Sequence, residues 1–190
     1  MGVSDRSFRT GPAAILSASA EDDGWMLLAL AEAEKAAAEG EVPVGAVLVL
    51  GGRLVSRAHN RCEAARDATA HAELLALREG LTELGAKRLE GTTLYCTLEP
   101  CLQCCGALLL TRVERVVFGP RDPKFGGVRS LAELLDHPRA NHRVAIEEGV
   151  RAEESRSLLS AFFRDLRARA KARQGDPSAA YGAAPLEDDL

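Results

Sequence analysis

Thr92-Thr-Leu-Tyr-Cys-Thr-Leu98, followed at once by Glu99-Pro100-Cys101-Leu-Gln-Cys104-Cys-Gly-Ala-Leu-Leu-Leu110, is the stretch on which the fold turns. Its first half is rich in β-branched and aromatic residues and reads as a strand. Pro100 suits the first turn of a helix, where the missing N–H would have had no partner anyway, and the apolar run to Leu110 continues that helix. Arg115-Val-Val-Phe118 is the next strand. A strand, a helix and a second strand in this succession form a parallel crossover unit, with the helix laid on the sheet.

Upstream, residues 70–84 form a predicted helix whose apolar stripe is Leu74, Leu75, Leu77 and Leu81. Asn60 to Ala68 is a polar loop. Val44-Gly-Ala-Val-Leu-Val-Leu50 reads as a buried strand, and Gly51-Gly52 turns it into a second one, Arg53 to His59. Ahead of these, Trp25, Leu28, Ala29, Glu32, Ala33 and Ala36 set up a helical pattern that stops at Gly40. Downstream, Gly119 to Gly127 is a loop, Leu131 to Leu135 a short helix, Arg143 to Glu147 a fifth strand and Glu153 to Arg173 a long final helix. This order predicts an α/β protein, a three-layer α/β/α sandwich around a mixed five-stranded sheet. The first two strands are a hairpin, and each later connection carries a helix, which predicts parallel crossovers.

The chain has 190 residues, 46% of them hydrophobic and 27% charged, which are globular proportions and fit one domain. Its longest strongly apolar run, Val44 to Leu50, falls far short of the roughly 18 residues that mark a membrane span. Arg6 and Arg9 precede a short apolar run, but Asp5 and Pro12 lie beside it, so no secretory signal is expected. The formal charge is −4, and its distribution is uneven. Arg164, Arg167, Arg169, Lys171 and Arg173 face one acid, Asp165, whereas the last stretch holds Asp176, Glu187, Asp188 and Asp189 with no base. A basic helix is thus masked by an acidic tail, so net charge does not exclude RNA. The expected organisation is a flexible leader over residues 1–20, a domain over 21–173 and a disordered acidic tail over 174–190. Five cysteines, three of them crowded at Cys101, Cys104 and Cys105, fit metal binding in a reducing compartment better than a disulfide framework. A cytoplasmic protein is expected.

Two segments carry the chemistry, Thr69-Ala-His71-Ala-Glu73 and Thr97-Leu-Glu-Pro-Cys101-Leu-Gln-Cys104, each at a predicted helix start. Cys101 and Cys104 are one helical turn apart, which puts both sulfurs on one face. His71 as third donor leaves a tetrahedral zinc ion with one position open, the catalytic pattern, whereas a structural site needs a fourth protein ligand. Helix N-termini also favour thiolates. Glu73 diverges from His71 on a regular helix, so it is read as a proton-handling carboxylate rather than a ligand. Cys96 and Cys105 read as buried thiols, and Cys62 as incidental.

The pair His-x-Glu and Pro-Cys-x-x-Cys is the signature of the zinc-dependent nucleobase deaminases. The chain resembles the cytidine deaminase-like superfamily and, within it, the bacterial tRNA-specific adenosine deaminase family. The likeness extends over Glu41-Val-Pro-Val-Gly-Ala-Val47, Asn60-Arg61, Thr93-Leu-Tyr95, Arg115-Val-Val-Phe-Gly119, Arg121-Asp122, Asn141-His-Arg-Val144 and Phe162-Phe163-Arg164. It departs from the common pattern at Gln103, at Asp67-Ala68, at the run from Cys105 and at Phe125, where a small residue is usual.

The resemblance implies a cytidine deaminase-like fold, one zinc ion per subunit held by His71, Cys101 and Cys104, and hydrolytic conversion of adenosine to inosine at wobble position 34 of a tRNA. An arginine tRNA with an ACG anticodon is the implied substrate, and Glu73 the group that moves protons to the ring and the departing ammonia. Asn60 is expected to hydrogen-bond the nucleoside, while Asp122, Lys124, Phe163, Arg164 and Arg167 are expected to meet the RNA. In the last three, an aromatic that can stack on a base stands beside cations for phosphates. The expected partners are a tRNA anticodon stem-loop and a second copy of the chain, with neither DNA nor a membrane. A deaminase of a free base or nucleoside, of the guanine or cytosine type, would share the same zinc apparatus. A non-enzymatic RNA-binding protein would have no use for Glu73. His142 is expected either to line the RNA path or to stabilise its loop.

Overall fold

The computed structural model describes residues 20–174. They run as α1 (Ala20–Glu39), β1 (Gly45–Leu50), β2 (Arg53–His59), α2 (Cys62–Ala65), α3 (Ala72–Glu83), β3 (Thr92–Cys96), α4 (Leu102–Thr111), β4 (Arg115–Phe118), β5 (Ala145–Glu148) and α5 (Ala152–Gln174). Apart from Ala20 and Gln174, the expected leader and tail lie outside the described residues.

Gly51 and Gly52, at φ 56° and 72°, make the tight turn that pairs β1 with β2 antiparallel, from Gly45 opposite His59 to Leu50 opposite Arg53. The strand order is β2-β1-β3-β4-β5. β1 and β3 are antiparallel, and the β3–β4 and β4–β5 pairs are parallel. β2 and β3 therefore run the same way on either side of β1, and the mixed five-stranded sheet stands as expected.

Alternation along the strands divides the core in two. Ala46, Leu48, Leu94, Cys96, Val116 and Phe118 point to the face covered by α3 and α4, where they pack with Ala76, Leu77 and Leu108. Val47, Val49, Tyr95 and Val117 point to the opposite face and meet Met26 and Ala29 of α1. α5 packs on α1 and so lies on that same side. These are the three layers.

The described part of α1 already includes residues 20–24, ahead of its apolar pattern, and this turn has a tertiary anchor. Asp22 is buried and accepts hydrogen bonds from both terminal nitrogens of Arg115, at 2.7 and 2.9 Å, and from Tyr95 Oη at 2.9 Å. Carboxylates at Glu21, Asp22 and Asp23 also complement the positive end of the helix. Two expectations are corrected. The polar loop after Asn60 contains the short helix α2, held by Glu41, whose carboxylate accepts from the amides of Glu63 and Ala64 at 3.1 and 2.8 Å. The short helix expected over Leu131 to Leu135 does not form. There the amides of Leu131 and Leu134 bond to the carbonyls of Gly126 and Gly127, and Leu135 accepts from Val144, so tertiary partners replace the helical ones.

The close approach of α1 to the sheet requires Gly45. A Cβ there would lie 2.6 Å from the Ala33 backbone nitrogen and would overlap the Ala29 carbonyl oxygen. Gly45→Ala is expected to cost about 1–3 kcal/mol through overpacking, lowering the unfolding midpoint by roughly 3–10 °C. Gly24→Ala, whose methyl would meet nothing within 4 Å, should instead gain up to about 1 kcal/mol in helix propensity. Calorimetry of the two variants checks both, and a Gly45→Ala protein melting with wild type would contradict the packing described.

Candidate active site

The carboxyl ends of β2 and β3 lie at one edge of the sheet, next to the start of β1: Asn60 N donates to the Val44 carbonyl, and Thr97 and Gly45 exchange hydrogen bonds of 3.0 and 3.1 Å. From that edge the chain enters α3 through His71 and α4 through Cys101. Both are N-cap residues in extended conformation, and neither side chain caps its helix. In place of a cap, the two side chains turn toward each other.

His71 Nδ1 lies 3.5 Å from Cys101 Sγ and 3.5 Å from Cys104 Sγ, and the two sulfurs are 3.5 Å apart. Cys104 is fully buried; His71 and Cys101 are half-buried. The donors of a tetrahedral zinc ion, about 2.3 Å away for sulfur and about 2.0–2.1 Å for nitrogen, lie about 3.6–3.8 Å from one another. The observed triangle fits such an ion with little movement. Among the described residues, this metal-capable group comprises these three side chains and no fourth, so a tetrahedral ion here would keep one position for a non-protein ligand.

The electrostatics fit the same reading. The Cys101 thiol is held down to about 4, first by donation from the Cys104 thiol and then by His71. The Cys104 thiol is pushed far up by that same donation and by burial. Its hydrogen bond with Cys101 raises the pKa of the His71 imidazole. A cation entering this triangle displaces those protons, so metal binding releases them. Glu73, one helical step past Ala72, is buried, and burial raises its carboxyl pKa against the pull of its own backbone N–H and of His71. A carboxyl poised in this way can both accept and return a proton.

Asn60 is buried, and its Oδ1 accepts from Ala72 N at 2.9 Å, supplying the cap that His71 does not. Its Nδ2 group is thereby oriented as a donor. Asp122 shapes its own loop: Oδ1 accepts from the amides of Lys124 and Phe125 at 3.0 and 3.3 Å. Lys124 is exposed on that loop, and Gly126 forms an isolated bridge with Cys101, so the loop borders the triangle. The structure does not bring Phe163, Arg164 and Arg167 to this site within one chain. They lie on the second half of α5, with Phe163 edge-on to Phe162 at 5.5 Å and both arginines exposed. His142 Nε2 lies 2.7 Å from the Val113 carbonyl oxygen, which is the loop-stabilising role.

Glu99 has no role in the sequence reading, yet it organises one side of the site. Its buried carboxylate accepts from the amides of Asp122, Val128, Arg129 and Ser130 at 2.9, 3.0, 2.6 and 3.0 Å, and from the Ser130 hydroxyl. Burial alone would raise its pKa, and these bonds, Ser130 foremost, outweigh that and hold it below the usual carboxylate range. The only sequence signal is an acid between an apolar strand and the Pro-Cys helix start, where no solvent-facing position is expected.

The model of the cytidine and deoxycytidylate deaminase zinc-binding region matches residues 19–120, so this fold and triangle are those of a zinc-dependent deaminase domain. The tRNA-specific adenosine deaminase of Bacillus subtilis (strain 168) is 51% identical over 152 residues, 80% of this chain and 94% of that protein. Its counterpart in Aquifex aeolicus (strain VF5) is 50% identical over 143 residues, 75% of this chain and 94% of that protein. A solved structure from a study of A-to-I editing by tRNA:A34 deaminases aligns with a TM-score of 0.69 at 42% identity, covering 72% of this chain and 99% of that one. The chain belongs to the family of tRNA-specific adenosine deaminases. Zinc is its cofactor, and its chemistry is hydrolysis of a carbon–nitrogen bond. Among the described residues, no helix is long and apolar enough to cross a membrane.

Removing the Glu99 carboxylate leaves four amides without their acceptor, each at a cost of about 1–3 kcal/mol if it stays buried. Glu99→Ala is therefore expected to open the 122–130 loop and speed amide exchange at Val128, Arg129 and Ser130 by at least about tenfold. Unchanged protection at these three amides would contradict the anchoring role.

Proposed function

We propose that the protein converts adenosine to inosine at wobble position 34 of a tRNA in the cytoplasm, with an arginine tRNA bearing an ACG anticodon as its substrate. The observation that carries this reading is the triangle of His71 Nδ1, Cys101 Sγ and Cys104 Sγ beside the buried carboxyl of Glu73, in a chain half-identical to named tRNA-specific adenosine deaminases. These three atoms hold the zinc ion. When bound, zinc supplies Lewis-acid chemistry, making a water molecule acidic enough to act as a nucleophile at neutral pH.

The chain's own residues do the rest. Glu73 accepts one proton of the water that adds to C6 of the adenine and delivers it to N1 of the ring. It then takes the proton of the new C6 hydroxyl and hands it to the amino group, so that the C6–N bond breaks, ammonia leaves and C6 becomes a carbonyl. The balance is adenosine plus water giving inosine plus ammonia. Asn60, its Oδ1 committed to Ala72, donates from Nδ2 to an acceptor on the nucleoside. Burial of both side chains limits the entry of competing water.

An anticodon loop is already single-stranded, so turning its base into the site costs less than opening a duplex. Asp122 and Lys124 meet the RNA at the rim of the site. Phe163 stacks on a base, and Arg164 and Arg167 contact phosphates from the projecting half of α5. Because α5 packs across the sheet from α3 and α4, these contacts suit a dimer in which one protomer's α5 serves the other's site. The exposed Leu102 and Leu110 of α4, with exposed Leu131 on the loop whose Gly127 lies against Leu102, offer apolar surface for a second copy.

Inosine formation in an ACG-anticodon arginine tRNA transcript tests this reading. Zinc-loaded wild type is expected to form inosine at position 34. Glu73→Gln should keep about one zinc per chain yet lose roughly 10²–10⁴-fold in turnover, and His71→Ala should lose the metal. Folded, zinc-replete wild type that leaves the tRNA unchanged but releases ammonia from guanine would overturn the RNA reading. Zinc retained by His71→Ala would overturn the ligand assignment.

A further inference from the structure

Among the described residues, Phe125 is the one aromatic that is mostly exposed, at 64%. Phe118 and Tyr95 are buried, and Trp25, Phe162 and Phe163 are half-buried. An exposed ring is unremarked on a loop that can fold over it. This loop cannot, because its backbone is tied on both sides of the ring. Asp122 accepts from the Phe125 amide through Oδ1 and from the Gly126 amide, at 2.9 Å, through its carbonyl. Gly127 N donates to the Pro100 carbonyl at 2.8 Å, and Gly126 is bridged to Cys101. Beyond these, Val128, Arg129 and Ser130 are bound to the Glu99 carboxylate. The contact is close enough that a Cβ on Gly126 would collide with that carboxylate.

Phe125 is thus held outward by a backbone that cannot withdraw it. One residue and one strand spacing separate it from Cys101, so its Cα lies within about 9 Å of that residue's Cα. That position is on the rim of the site rather than in its floor. A rigid aromatic side chain has few rotamers to lose on contact, and Lys124 places a cation next to it. Ring face, cation and single-stranded RNA together are the conditions for base stacking.

We propose that Phe125 is a stacking subsite for a nucleobase adjacent to the target adenosine. This rests on the RNA reading given above and adds to it a residue that distinguishes an anticodon loop from a free nucleoside. The target base occupies the zinc site, and its neighbour, turned outward by the same bend of the RNA backbone, lies on the Phe125 ring.

The test uses zinc-loaded full-length protein and an anticodon stem-loop in steady-state kinetics. Phe125→Ala is expected to raise KM about tenfold while changing kcat much less, with Phe125→Tyr and Phe125→Trp restoring KM. Stem-loops abasic at position 33 or at position 35 identify the stacked neighbour. One of them should carry the same penalty with wild type and no further penalty with Phe125→Ala. Equal KM for wild type and Phe125→Ala overturns the subsite, as do penalties that simply add at both abasic positions. A Phe125→Ala protein that falls from dimer to monomer in sedimentation also overturns it, assigning the ring to a contact between copies. Wild type forming no inosine on any stem-loop overturns the proposed substrate itself, which separates that failure from failure of the subsite.

Discussion

Two helices that begin at the same place, each with a first residue that does not cap it, set the terms for the rest of this structure. A helix N-terminus ordinarily recruits Ser, Thr, Asp or Asn to satisfy its free amides. At α3 and α4 those positions are His71 and Cys101, whose side chains meet at 3.5 Å. The meeting is possible because β2 and β3 are both antiparallel to β1, which brings their carboxyl ends to one edge. Each then feeds a helix from that edge. The positive ends of both helices converge on the same point, where they stabilise thiolate and carboxylate charge. The missing cap of α3 is supplied from a different loop, by Asn60, so the start of that helix is oriented by a residue outside it.

Two buried glutamates hold the loops that frame this point. Glu41 accepts the first amides of α2, and Glu99 accepts four amides of the 122–130 loop. A buried carboxylate is tolerated only when its oxygens are fully hydrogen-bonded, and backbone amides of a surface loop need acceptors for the same reason. Each requirement satisfies the other. The result is loop segments tied by backbone hydrogen bonds to buried carboxylates, with Lys124 and Phe125 held on one of them.

The parts legible in the sequence were those with a local pattern. β2 and β4 have the expected bounds, the Gly51-Gly52 hairpin forms as expected, and the Cys-x-x-Cys spacing brings the sulfurs of Cys101 and Cys104 together. The parts that were not legible depend on partners distant in the chain. The anchoring of the first described turn of α1 comes from Asp22 meeting Arg115 and Tyr95, which no helical periodicity can register. The stretch 131–135 has helical composition, but its amides find acceptors at Gly126 and Gly127. Glu99 looks like one acid among many, because its partners are backbone groups that carry no sequence signature. For Asp122 the expectation was a nucleotide contact; what the structure shows is a loop role, the turn that sets Lys124 and Phe125.

The central claim is that one histidine nitrogen and two sulfurs, and no other protein atoms, hold the metal. Zinc K-edge X-ray absorption on the zinc-loaded protein addresses it most directly, since Cys105 and Cys96 are buried close by in sequence and would add sulfur scattering if they took part. The account predicts two sulfur neighbours at about 2.3 Å and two nitrogen or oxygen neighbours at about 2.0–2.1 Å. Three or four sulfurs in the first shell would contradict it, as would a shell of nitrogen and oxygen alone.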